Sequence, residues 1–295
     1  MTAVQNQELR MAAYRAPSLF QPHRARQALR DAHEGKISPL IGLYLGLSSV
    51  PTARYIAPLG FDAVFIDWEH SSCNVETMTT MVHDISFMSE GRTIPFVRIP
   101  GHEHAAVGYA LDAGASIIVP QVNTVAEAKH VVSSTKYGAK CGGTRSAPPY
   151  RLIQGITDTP IDKTKSIHEN QNDQAAIVIQ IESLEGLNNL DSILSEVPEI
   201  DAVWFGIIDC RVSMGLRWES GVVPTEPEWQ EALAKFGNIM RKHNKPCAGF
   251  ALGPPEKMRA MGEGKSLVFV AVDVLALLSI VADLENAHQV FVPAN

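Results

Sequence analysis

Four cysteines, Cys73, Cys141, Cys210 and Cys247, stand far apart in the 295 residues, and no two form a CxxC pair. That rules out the cysteine density of a disulfide scaffold and fits a reducing compartment. Cys210, beside Asp209, is expected to be partly exposed. Positive charge is not in surplus either, since 25 Lys and Arg against 32 Asp and Glu give a formal charge of −7. The chain therefore has no electrostatic footprint for nucleic acid or an anionic membrane, and a small-molecule partner is expected. No uncharged apolar run reaches membrane-spanning length, and residues 1–22 lack the apolar core of a signal peptide. A soluble, cytoplasmic protein is the expectation. There is no phosphate-cradling P-loop and no dinucleotide-binding GxGxxG.

What is present is a 45% hydrophobic chain, enough for a sizeable core. Residues 1–22 read as a loosely ordered leader and 23–295 as one domain. Short apolar runs are predicted as strands: 41–46, 63–66, 94–98, 116–120, 177–181, 202–208, 247–252 and 267–272. Helices are predicted between them, over 50–59, 75–88, 104–112, 124–137, 184–197, 225–243 and 255–261. Eight strands alternating with helices over roughly 250 residues give the count of a (β/α)8 TIM barrel, an α/β fold, rather than a doubly wound sheet. Capping boxes predict helix starts at Thr124 with Glu127 and at Thr225 with Glu228. Residues 138–172 are too long for an ordinary connection. Thr144, Arg145, Pro148, Pro149 and Tyr150 could line a pocket there, with a surface excursion as the equal alternative. The closing helix, 274–287, spreads Leu275, Leu277, Leu278, Ile280, Val281 and Leu284 around more of its circumference than one barrel face buries. It is expected to pack on a neighbouring subunit.

In such a barrel the polar residues at the C-terminal strand ends share one mouth. Asp67, Trp68, Glu69 and His70 follow the second strand, Arg98 ends the third, Glu182 ends the fifth and Asp209 is read at the end of the sixth. Singly, each acid could be a helix cap and each base a surface ion pair. Together they point to a metal-assisted site, with Glu182 and Asp209 suited to Mg2+ or Mn2+. The predicted strands carry no lysine, which disfavours an imine-forming aldolase mechanism.

Several motifs bear a family resemblance: Phe-Ile-Asp-Trp-Glu-His at 65–70, Val-Arg-Ile-Pro at 97–100, Leu-Asp-Ala-Gly-Ala at 111–115, Ile-Val-Pro-Gln-Val at 118–122, Gln-Ile-Glu-Ser at 180–183, Phe-Gly-Ile-Ile-Asp at 205–209 and Phe-Val-Ala-Val at 269–272. In this order they resemble the metal-dependent pyruvate aldolases of the 4-hydroxy-2-oxoheptanedioate aldolase family, over about residues 38–285. The resemblance implies that Glu182 and Asp209 bind Mg2+ and that Arg98 holds the keto oxygen of a 2-oxo acid as it becomes an enolate. It also implies that His70, oriented by Asp112, is the acid/base, and that backbone amides near Gly206 and Ile208 bind the substrate carboxylate. Asp67 and Glu69 would support this set from behind, and a homo-oligomer, hexameric in the family, is implied. Structural readings stay open for His70, as a hydrogen-bonded imidazole, and for Asp112, as a helix-end residue.

Within the family, the second-strand motif, Gly-Thr-Arg-Ser-Ala-Pro-Pro at 143–149 and Asp-Cys-Arg-Val-Ser-Met at 209–214 look most like a fungal branch. That branch decarboxylates oxaloacetate and adds the pyruvate enolate to a 2-pyrone, forming a benzoate. Trp68 and Tyr150 would offer the flat surface such a substrate needs. Aldol cleavage of a 4-hydroxy-2-oxo acid to pyruvate and an aldehyde is the alternative, and a catalytically silent barrel is the reading from another class. Typical aldolases of the family carry Gly-Pro-Ala-Asp-Leu-Ser where this chain has Gly-Ile-Ile-Asp-Cys-Arg, so the wall facing a second substrate differs.

Overall fold

A computed structural model of the chain describes residues 10–148, 153–217 and 224–291. Eight parallel strands close into a barrel in sequence order, with β1 pairing both β2 and β8. They are β1 Leu40–Leu45, β2 Ala63–Asp67, β3 Ile94–Arg98, β4 Ser116–Val119, β5 Ile177–Ile181, β6 Ala202–Phe205, β7 Cys247–Phe250 and β8 Leu267–Val272. Alternate residues face opposite sides of a strand, which separates two cores. Leu40, Phe65, Phe96, Ile118, Val178, Trp204 and Phe269 belong to the cluster filling the barrel. Val64, Val97, Ile117, Ile179 and Val203 belong to the cluster shared with the helices outside. The strands are apolar on both faces because both faces are covered.

Pairing register sets the mouth. Asp67 and Arg98 are direct partners at the ends of β2 and β3, and both continue the inward-facing series. The β1–β8 register shifts between Gly42 and Leu43, skipping Val270, which marks a bulge in β8.

Several local expectations are corrected. The sixth strand stops at Phe205, and Ile207–Ser213 is a helix, so Asp209 lies in a first helical turn rather than at a strand end. Cys210 is fully buried, and that burial pushes its thiol up to about 11. The Thr225 capping box does not form; Glu226 is the N-cap of the helix Pro227–His243, and its carboxylate is bonded to Arg211 instead. Within 138–172, Ile167–Gln174 is a helix with its own capping box, Ser166 and Glu169.

The leader, where described, is packed rather than loose: Met11, Tyr14, Ala16 and Gln21 are buried. His23 is sealed with them, its Nδ1 accepting the Ala16 N–H at 3.1 Å. Burial, with Arg15 nearby, lowers its pKa to about 4. This folded value lies below the unfolded one near 6.5, so between those pH values only the unfolded chain takes the proton. Stability is therefore lost as pH falls through that window, by about 2 kcal/mol from pH 7 to pH 5. Urea unfolding at both pH values should show this loss, and His23→Leu should shrink it; parallel losses would place the titrating group elsewhere.

The C-terminal end forms two helices, Asp273–Leu277 and Ser279–Phe291, with no buried residue in either. Leu275, Leu277, Leu278, Ile280, Val281 and Leu284 are each at least half exposed. By length and composition alone, Asp273–Phe291 is also apolar enough to cross a membrane.

Candidate active site

Asp67 organises the mouth. Its two carboxylate oxygens accept the Nε and Nη2 of Arg98 at 3.0 and 2.8 Å. Oδ1 also accepts the amides of Glu69 and His70 at 3.1 and 3.3 Å, which folds the segment after β2 back over the strand end. The Tyr44 hydroxyl, from the end of β1, donates to Asp67 Oδ2 and accepts from Arg98 Nη2 at 3.2 Å. Burial pushes the Asp67 carboxyl up, but the bonds and charge of Arg98 outweigh it and hold the group below the ordinary carboxylate value. Arg98 is held charged by Asp67 against its own burial, and its guanidinium carbon lies 5.4 Å from the Phe65 ring centroid. One face of that guanidinium group is therefore fixed by a bidentate ion pair.

Glu69 adds a second carboxylate, 3.1 Å from Arg98 Nε and 3.5 Å from His70 Nε2. Burial raises its pKa, with Asp67 and Asp209 adding to the effect against the pull of Arg98. Across the mouth, Glu182 is 4% exposed, and its Oε2 accepts the Gln121 amide at 3.0 Å. Gln121 takes a left-handed φ of 53° to deliver that N–H, a conformation uncommon outside glycine and typical of constrained sites. Burial is the first cause of a Glu182 pKa near 7, and the negative charges of Asp209 and Glu69 add to it. Gly206 is the spacer between the two acids, since a Cβ there would stand 2.5 Å from Glu182 Cγ and 2.7 Å from Oε1.

Glu182 and Asp209 are hard oxygen donors whose charges repel, a donor set that fits a divalent cation. Among the described residues no three His, Cys, Asp or Glu side chains converge to hold a metal alone. An ion at Glu182 and Asp209 would thus keep most positions for water and substrate, as Mg2+ commonly does. The Gly206 amide is spent on the Ile181 carbonyl at 2.9 Å. The orphan amides are those of the first helical turn, Ile208 included. Ile207 and Ile208 themselves present apolar side chains, 41% and 48% exposed.

One expected pairing is not met. Asp112 does not pair with His70 within the chain; it bonds Arg145 Nη2 at 2.7 Å. Barrel helices run antiparallel to the strands, so the last residue of His104–Asp112 lies at the far end from the mouth. Arg145 follows it there, stacked 4.4 Å from the Tyr137 ring centroid, while Thr144 bonds the Ser133 carbonyl. These two residues thus pack against helix ends rather than lining the mouth; Pro149 and Tyr150 lie outside the described residues. Trp68 packs partly buried against the outer core, and the aromatic beside Arg98 is Phe65.

Two inward residues escaped the sequence reading. One is Tyr44. The other is Gln180, two positions before Glu182; the Gln180 Oε1 is buried with no hydrogen-bond partner among the described residues. Counting in twos back from Glu182 would have found Gln180; no acid ends β1 to mark Tyr44.

The profile of the family described as HpcH/HpaI aldolase/citrate lyase matches residues 40–278. A 4-hydroxy-2-oxo-heptane-1,7-dioate aldolase of Salmonella paratyphi C is 32% identical over 244 residues, covering 81% of this chain and 86% of that protein. A 2-keto-3-deoxy-L-rhamnonate aldolase of Klebsiella pneumoniae is 28% identical over 242 residues, covering 80% and 83%. The solved structure of macrophomate synthase superposes with a TM-score of 0.86 at 31% identity, covering 95% of each chain.

Proposed function

The chain belongs to the HpcH/HpaI aldolase/citrate lyase family, and from that premise we propose that it is a Mg2+-dependent carbon–carbon lyase acting on a 2-oxo acid. In this reading it decarboxylates oxaloacetate to the pyruvate enolate and, like macrophomate synthase, adds that enolate to a 2-pyrone to form a benzoate. The observation that carries the proposal is the buried Arg98, clamped by Asp67 and Tyr44, at the same mouth as a Glu182 whose pKa is raised by burial first and by the charge of Asp209 after it.

Glu182 and Asp209 would hold Mg2+, or Mn2+ in its place. When bound, the ion supplies a Lewis acid for the carboxylate and keto oxygens of the substrate. Arg98 donates to the oxygen that gains charge as the enolate forms, and because Asp67 fixes it beforehand, little reorganisation accompanies the reaction. Asp67 and Glu69 orient and tune that arginine. The first-turn amide of Ile208, beyond Gly206, would receive the substrate carboxylate. Exposed Ile207 and Ile208 supply an apolar wall in keeping with a flat second substrate.

Reversible aldol cleavage of a 4-hydroxy-2-oxo acid is the second reading, favoured by the names of the sequence relatives. His70 separates the two. Cleavage needs a base for the 4-hydroxyl proton, and losing the imidazole should cost roughly a hundredfold or more. Loss of CO2 leaves the enolate without such a step. His70→Ala should therefore retain most oxaloacetate decarboxylation, measured as pyruvate release, while impairing aldol cleavage or capture of the enolate by a 2-pyrone. Equal large losses in all three would place His70 in a shared step.

We also infer a homo-oligomer, hexameric by family resemblance, with the bare C-terminal helices seated on neighbouring copies. Light scattering should find an assembly larger than a monomer, and Leu278→Asp should dissociate or unfold it. A soluble, active wild-type monomer would contradict this.

A further inference from the structure

The mechanism above uses the ends of β2, β3 and β5, yet an acid just past β8 is tied into the same mouth. Asp273 opens the first C-terminal helix. Its Oδ1 accepts the Gly46 amide at 2.8 Å and its own neighbour Val274 N–H at 2.7 Å, and its Oδ2 accepts the Leu47 amide at 2.9 Å. One carboxylate thus binds the segment after β1 to the root of the C-terminal helix. The bulge at Val270 helps, because Tyr44 pairs with Val272 where uninterrupted pairing would have reached only Ala271. Asp273 is drawn one step closer to the barrel.

Gly46 is the thin layer in this assembly. A Cβ there would meet the Tyr44 ring at 2.9 Å and Val274 Cγ2 at 3.1 Å, so ring, backbone and helix root are in direct contact. The Tyr44 hydroxyl at the other end of that ring bonds Asp67 and Arg98. Contact therefore runs without a gap from Asp273 through Gly46 and Tyr44 to the guanidinium.

We propose that Asp273 is a positioning residue for the reaction: by pinning Gly46 and Leu47 to the helix root, it wedges Tyr44 against the Asp67–Arg98 pair and sets the aim of Arg98. This rests on the role of Arg98 proposed above. Because Arg98 acts where charge develops, loosening its aim falls on kcat rather than on KM.

The test combines amide exchange with a double-mutant cycle on the full-length protein. Asp273→Ala should abolish hydrogen-exchange protection at Gly46 and Leu47, and lower kcat for oxaloacetate about tenfold with KM within twofold of wild type. Asp273→Asn, which keeps one oxygen acceptor, should recover part of both. Tyr44→Phe should also lower kcat, and the double variant should be no slower than the slower single one, because both act through one contact. Gly46→Ala, which disturbs the contact and spares the carboxylate, should reproduce the kcat loss and carries the test if Asp273→Ala does not fold. Additive losses, or lost protection with unchanged kcat, would overturn the proposal. A wild type that releases no pyruvate from oxaloacetate would instead remove the reading of Arg98, and would do so before any variant is made.

Discussion

Glu182→Gln and Asp209→Asn should each lower Mg2+-supported turnover by at least about a hundredfold, the upper end of what losing even an outer partner of a metal ligand costs. Gln keeps the shape of the side chain and an oxygen for the Gln121 amide, so the loss would report charge rather than packing. The same change should leave the metal-free protein no less stable above neutral pH. Burial makes the ionised Glu182 costly there, with Asp209 adding repulsion, and a neutral amide avoids both. Lower metal affinity, seen by calorimetric titration with Mg2+, alongside an undiminished melting temperature would identify an acid kept for chemistry. A variant with normal Mg2+-dependent turnover would show that the two acids serve the fold alone.

Arg98 should be nearly as sensitive, and the informative substitution is lysine. Arg98→Ala leaves Asp67, whose side chain is 1% exposed, buried without its charge partner, a loss of about 3 kcal/mol or more that could unfold the protein. Lysine keeps the charge but cannot span both oxygens of Asp67 while presenting a further N–H to substrate. Arg98→Lys should therefore fold, keep KM within a few-fold, and lose roughly a hundredfold or more in kcat for oxaloacetate, the scale of removing one preorganised donor to a developing oxyanion. A near-normal kcat would mean that the arginine serves only as a partner for Asp67.

The strand count was legible because each strand is an apolar run between covered faces, and the acids at 67 and 182 follow such runs directly. Asp209 was harder. Ile207 and Ile208 extend the apolar run of β6, yet they open a helix and stay 41% and 48% exposed, so a hydrophobicity pattern cannot mark where the strand stops. The helix Ile167–Gln174 hid for the opposite reason: its sequence is almost wholly polar, and only Ser166 and Glu169 announce it. Thr225 does not cap because the helix starts one residue later than the pattern suggests: its N-cap is Glu226, whose carboxylate is held by Arg211, fifteen residues earlier in sequence.

Within the site, the set Asp67, Glu69, His70, Arg98 and Glu182 was recoverable from strand ends, whereas the pairing inside the set was not. Asp112 was matched to His70 by resemblance, but the helix carrying it ends on the opposite side of the barrel. Phe65, two positions before Asp67 on the inward face of β2, is the ring that packs beside Arg98, a contact that only the barrel's closure brings about. Tyr44 and Asp273 drew no notice because each is unremarkable in sequence and gains its place from β1–β8 closure, a contact between residues more than two hundred positions apart.

The central claim, metal-supported formation of a pyruvate enolate, is tested most directly by following pyruvate and CO2 release from oxaloacetate with metal-stripped protein titrated with Mg2+. A rate well above that of free Mg2+, saturating with added ion, abolished by chelator and missing in Glu182→Gln is the predicted result. Full activity in excess chelator, or a rate no greater than that of the ion alone, would contradict it.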